Sequence, residues 1–285
     1  MNLHNFASNF YGLVKIAEAY VPENMENAIL KMLDEISYEH NKNNKFGQTA
    51  RFLVRVDLSG LPEYTDGVKN RQNMIKSVLE VMDVLLVSAN VYPIEGKMNI
   101  LGSFSPTRKE LNINLFLPKK GSYEQWQRNR NYLISSTIKH ELIHMVQFLE
   151  WAYDRSLEMN EHISKYLIDN AAGFTTLYKI KHLKQKNSDK ISEPKSQIEL
   201  DYQLDHEMEA HIVSSLQDFK TKFVENDMFF KSDIKKFLGI GGPVSCTDGF
   251  FATLYNTNTN KWRTAVKEFL TSRFFKSIKN MMIQD

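Results

Sequence analysis

The sequence predicts an α+β fold, with a small mixed β-sheet packed on one long central helix and a mostly helical C-terminal half after it. Three observations carry this. Residues 122 to about 151 contain no Gly or Pro, and Leu133, Ile134, Ile138, Leu142, Met145, Val146 and Leu149 form an apolar stripe at helical spacing. Just upstream, residues 110–118 alternate apolar and polar side chains with period two, the mark of a half-buried strand. Beyond residue 151 the apolar spacing is again helical.

Taken in order, residues 3–20 and 24–41 read as two amphipathic helices split by Val21-Pro22. Residues 51–58 alternate as a strand that Gly60 and Pro62 end. Residues 69–90 read as a helix with Ile75, Val78, Leu79, Met82, Leu85 and Leu86 on its buried face. Residues 97–104 and 111–117 read as paired strands around the Ser105-Pro106-Thr107 turn. Ser122 and Gln125 fit a capping box at the start of the long helix. Helical segments follow near 154–184, then a polar loop at 185–195, a helix through Glu207 to about Val224, and a last helix over about 259–282. Residues 1–150 form an α+β subdomain and 151–285 a helical one, working as one compact unit with a cleft between them.

Composition excludes more than it selects. At 285 residues, 42% hydrophobic and 25% charged, the chain has an ordinary globular make-up. A formal charge of +2 carries no nucleic-acid signal. Cys246 is the only cysteine, which rules out an intrachain disulfide and a cysteine-only zinc site. No apolar run is long enough to span a bilayer, and the first residues lack a signal-peptide pattern. The expected location is the cytoplasm; virion association or signal-less export would leave no trace in the sequence. The glycines at 239–242 lack the Lys-Ser/Thr of a phosphate loop and read as a turn. The basic residues of the last helix read as a solvated face over a Trp262, Val266, Phe269, Leu270 and Phe274 core stripe.

Chemistry concentrates at His140-Glu141-Leu142-Ile143-His144, an H-E-x-x-H motif well inside the long helix. Residues four apart share a helix face, so His140 and His144 can present two imidazole nitrogens to one metal ion. Glu141 projects beside them, where a carboxylate can reach a metal-held water without ligating the ion. Two His ligands, a third ligand from elsewhere and a carboxylate base make up a catalytic zinc site with one open position. A strand, a short loop and then the motif helix is also the order a zincin fold requires.

One downstream segment, Tyr202 to His211, gathers acidic and His residues on a helical pattern. Here the chain resembles the gluzincin metallopeptidases, in which a Glu on a second helix completes a His-His-Glu site. Glu207, Ala210 and His211 match that family's ligand, small residue and polar neighbour. Tyr202 to Ala210 also resembles a signature of uncharacterised metallopeptidase-like proteins of phage and bacterial genomes, from which His206 departs where many carry Pro. The resemblance spans residues 105–215. It implies His140, His144 and Glu207 as ligands to Zn2+, with Glu209 the alternative third ligand. It further implies Tyr202 as a donor to the developing oxyanion, with His211 and Tyr255 as weaker candidates. His162 and His182, in a polar stretch, read as surface residues. The expected activity is zinc-dependent hydrolysis of peptide bonds in a protein or peptide substrate, through a zinc-bound water that Glu141 activates. The alternative is a non-catalytic zincin-fold protein with a structural or partner-binding role. A metal-dependent hydrolase of a non-peptide amide would share the same site.

Overall fold

The structure, a computed structural model, describes residues 14–16, 25–43, 46–56, 71–93, 102–117, 123–168, 205–219, 230–242, 246–271 and 275. The chain divides into two compact units, Met1–Leu61 with Gly67–Thr175, and Pro62–Asp66 with Thr176–Asp285. The division thus falls past residue 150, which lies inside an unbroken helix of the first unit.

The first unit is mixed α+β. Its helix α1 (Met25–Asn43) buries Met25, Ile29, Met32, Leu33 and Ile36, one stripe at helical spacing. Four strands, β2 (Gln48–Arg55), β3 (Val84–Pro93), β4 (Gly102–Ser105) and β5 (Glu110–Leu117), form a mixed sheet that the three residues of β1 (Val14–Ile16) extend at one edge. The order is β1-β2-β3-β5-β4. β2 pairs antiparallel with β3, β3 parallel with β5, and β5 antiparallel with β4, which leaves β4 at the other edge. One sheet face carries a continuous apolar surface: Phe52 and Val54, then Leu85, Val87, Ala89 and Val91, then Leu111, Ile113 and Leu115 lie buried side by side. The opposite face carries a polar ladder among apolar side chains such as Leu53 and Leu86. There Thr49 donates to Asn90, Asn90 to Asn114, and the Ser88 hydroxyl to the buried Glu110 carboxylate.

The expected helix over 69–90 is corrected here. α2 covers Arg71–Leu79 and ends in a turn, in which the Val81 and Met82 amides donate to the Val78 carbonyl. Val84–Pro93 is instead the ten-residue central strand. A short apolar run satisfies both periods, and strand partners on both sides decided between them. The expected helix over 3–20 is also corrected at Val14–Ile16, which pairs in parallel with Arg51–Leu53. The pairing of 97–104 with 111–117 holds where it is described: β4 and β5 join through a turn in which Lys109 takes a left-handed φ of 48°. The Ser122 cap lies outside the described residues.

The long helix α3 spans Tyr123–Met159, past its expected end near 151. At 37 residues it is about 55 Å long. Its buried stripe, Ile134, Ile138, Leu142, Met145, Leu149 and Ala152, returns every three or four residues, and the helix packs on β4 and β5. Asn160 ends it in the left-handed conformation (φ 51°), where Asn is tolerated, and the short α4 (Ser164–Ile168) follows. The remainder of the expected 154–184 helices and the 185–195 loop lie outside the described residues.

The second unit is helical where described: α5 (Asp205–Phe219), α6 (Lys231–Leu238), α7 (Gly249–Thr257) and α8 (Thr259–Thr271). Phe219, Phe237, Phe251 and Phe269 interlock at its centre, with ring centroids 5.2–6.2 Å apart. Asp248 caps α7: one carboxylate oxygen accepts from the Phe251 amide (3.1 Å) and the other from the Ser215 hydroxyl (3.0 Å). Gly239 ends α6 at φ 71°, and the glycine-rich stretch is a turn. On α8, Ala265 and Phe269 are buried with Trp262, Val266 and Leu270 packed beside them, while Arg263 and Lys267 are exposed. Among the described residues no helix is long and apolar enough to cross a membrane.

Candidate metal centre

α3 places His140 and His144 one turn apart, and their imidazoles converge. The two Nε2 atoms lie 3.1 Å apart, with the rings edge-on at 84°. Two nitrogens held about 2.0–2.1 Å from one tetrahedral zinc stand about 3.3–3.4 Å apart, so this pair is within a few tenths of an ångström of a two-point ligand set. Both rings are half-buried, and Glu141 beside them is buried at 8% exposure. A neighbouring charge is neutralised internally: Lys139 points to the other side, where its ammonium meets Glu26 of α1 at 2.9 Å.

The edge strand β4 holds the carboxylate. The Phe104 amide donates to Glu141 Oε2 at 2.8 Å. This needs close approach of strand and helix, and Gly102 permits it: a Cβ there would stand 2.6 Å from Thr137 Cγ2 and 3.1 Å from Glu141 Cγ. The Phe104 ring, on the same face as Gly102, packs against Phe148 one turn beyond His144 (6.1 Å). Glu141 therefore sits at the rim of the sheet, against the strand that forms its edge.

Sequence reading passed over Phe104, Gly102 and Gln147. The Gln147 side-chain oxygen lies 2.8 Å from His144 Nδ1. Its signal was present, since a residue three beyond His144 must share that helix face. Phe104 acts through its backbone, so its side-chain identity carried no signal.

The other expected residues belong to the second unit. Glu207 and His211 stand four apart on α5, both half-buried, with a carboxylate oxygen and a ring nitrogen within 4.8 Å of each other. The His211 ring stacks on Phe250 of α7 (5.2 Å, 22°), which fixes its plane. Ala210, between them in sequence, is buried. Glu209 lies on α5 with its side chain outside the described residues, and Tyr202 lies outside them altogether. Tyr255 packs its ring edge-on against Trp262 at 4.9 Å, an aromatic contact within the helical core. In the first unit His162 is exposed and bonded to Ser164, as a surface residue; His182 lies outside the described residues.

The donor chemistry of His140 and His144 fits a divalent transition-metal ion, several of which take imidazole nitrogen. No family model matches the chain, and no curated protein or solved structure is significantly similar to it.

Proposed function

We propose that the protein is a zinc-dependent metallopeptidase of zincin type, with His140, His144 and Glu207 holding the ion and Glu141 as general base. The observation that carries this reading is the convergence of the two His Nε2 atoms with the buried Glu141 carboxylate next to them on the same helix. A purely structural metal site has no use for such a carboxylate. Zinc, when bound, supplies a Lewis acid that polarises a carbonyl and makes water more acidic.

The rest falls to the chain. Glu141 accepts the proton of the attacking water and returns it to the leaving amine. The Phe104 amide fixes Oε2, so the carboxylate is oriented before a substrate arrives. Glu207 is favoured over Glu209 because it shares a face of α5 with His211, whose ring Phe250 orients. Tyr202 is the proposed oxyanion donor on the gluzincin resemblance alone. The substrate is a protein or peptide.

The test is metal analysis beside peptide cleavage. The purified chain should hold close to one zinc, His144→Ala should lose most of it, and Glu207→Gln should weaken affinity at least about tenfold. Glu141→Gln should retain zinc while hydrolysis falls by roughly two to four orders of magnitude. Undiminished cleavage by that variant would refute the mechanism. Zinc binding with no cleavage across a diverse peptide library would favour the non-catalytic alternative.

A further inference from the structure

We infer that Gln147 is a positioning residue of the metal centre: its side-chain carbonyl selects the tautomer in which His144 presents Nε2. The inference rests on the proposed metal site, and it concerns a residue three positions past the H-E-x-x-H motif.

The geometry is local to α3. His144 Nδ1 and Gln147 Oε1 lie 2.8 Å apart across one helical turn. An amide oxygen has no proton to give, so the bond forms only if Nδ1 carries the hydrogen. A neutral imidazole protonated at Nδ1 has its lone pair on Nε2. That Nε2 faces His140 Nε2, 3.1 Å away, on the side where an ion would be held. The partner of Nδ1 therefore sets what Nε2 offers to an ion. With the opposite tautomer Nε2 would carry a proton and could not ligate.

An acceptor on Nδ1 also raises the basicity of the other nitrogen and stops the ring turning about χ2. Glutamine does this as a neutral group and adds no charge to the site. A carboxylate at the same place would accept more strongly and would add a negative charge, so Gln147→Glu should hold zinc at least as well as wild type. The same substitution tests the orientation of the amide, because a carboxylate can accept but cannot donate. If Gln147 instead donated its NH2 to a bare Nδ1, Gln147→Glu would break the contact.

The experiment has two readouts. In chelator-competition titrations, Gln147→Ala should bind zinc about 10–100-fold more weakly than wild type, and Gln147→Glu should restore wild-type affinity or exceed it. In nitrogen NMR of the zinc-free protein, His144 should be the Nδ1–H tautomer in wild type and in Gln147→Glu, and should become a tautomer mixture in Gln147→Ala. Circular dichroism verifies that each variant keeps its helix. Equal zinc affinity in Gln147→Ala and wild type would overturn this inference alone, and so would an Nε2–H tautomer in wild type. A wild-type chain that takes up no zinc would overturn the metal site, and this inference with it.

Discussion

Gly102→Ala tests the closest approach in the first unit. The added methyl would lie 2.6 Å from Thr137 Cγ2, 3.1 Å from Glu141 Cγ and 3.4 Å from the Asn112 carbonyl oxygen. Carbon pairs settle at about 3.5–4.0 Å, so strand and helix must part by about 1 Å or Thr137 must leave its rotamer. Thr137 is β-branched and stiff on a helix, and Glu141 is tied to the Phe104 amide, so neither yields freely. Overpacking of this kind costs about 1–3 kcal/mol. The smaller entropy of an unfolded Ala offsets about 0.4–1 kcal/mol of that. A net loss of about 1–2 kcal/mol remains, equivalent to a fall in Tm of roughly 2–8 °C for a protein of this size. Thr137→Ser removes Cγ2 and keeps the hydroxyl. In that background Gly102→Ala should cost little, giving a coupling of about 1 kcal/mol or more in a double-mutant cycle read by thermal or urea unfolding. A neutral Gly102→Ala, or the same cost in both backgrounds, would refute the close packing of β4 on α3.

The buried pair between Lys139 and Glu26, whose side chains are 9% and 13% exposed, gives a second prediction. Glu26→Gln should destabilise by about 3 kcal/mol because it removes the opposite charge from beside a buried ammonium, whereas Glu26→Leu with Lys139→Met should be close to neutral in the same unfolding assay. Cys246 gives a third. Burial pushes its thiol above the ordinary value, the carboxylate of Asp248 adding to this, and its sulfur is bonded to the Phe237 carbonyl at 3.1 Å. Because the folded thiol ionises at higher pH than a free one, alkylation of native protein should lag a free thiol across the range near pH 8–9 and match it only after denaturation. A native rate equal to the free-thiol rate would contradict that burial.

Much of the site is legible in the residues themselves. Spacing by four on a helix is a local rule, so His140 and His144 had to converge if residues 123–159 were helical, and they are. The β4–β5 pairing is legible for a like reason, since a turn joins neighbours in sequence. Residues 84–93 are not. Leu85, Leu86 and Val87 satisfy a helix and a strand alike, and what made them a strand is the presence of β2 and β5 on both sides, one of them contributed from thirty residues earlier and the other from some twenty later. Backbone contacts are likewise closed to sequence reading. Any residue but proline at 104 has an amide to offer Glu141, and Gly102 reads as ordinary until a helix side chain lies 2.6 Å from where its Cβ would be. The chain's own sequence thus determined that one helix presents His140, Glu141 and His144 together, because that depends on residue type and local period. The tertiary structure alone decided which strand borders that helix and which amide holds the Glu141 carboxylate, because those depend on where distant segments meet.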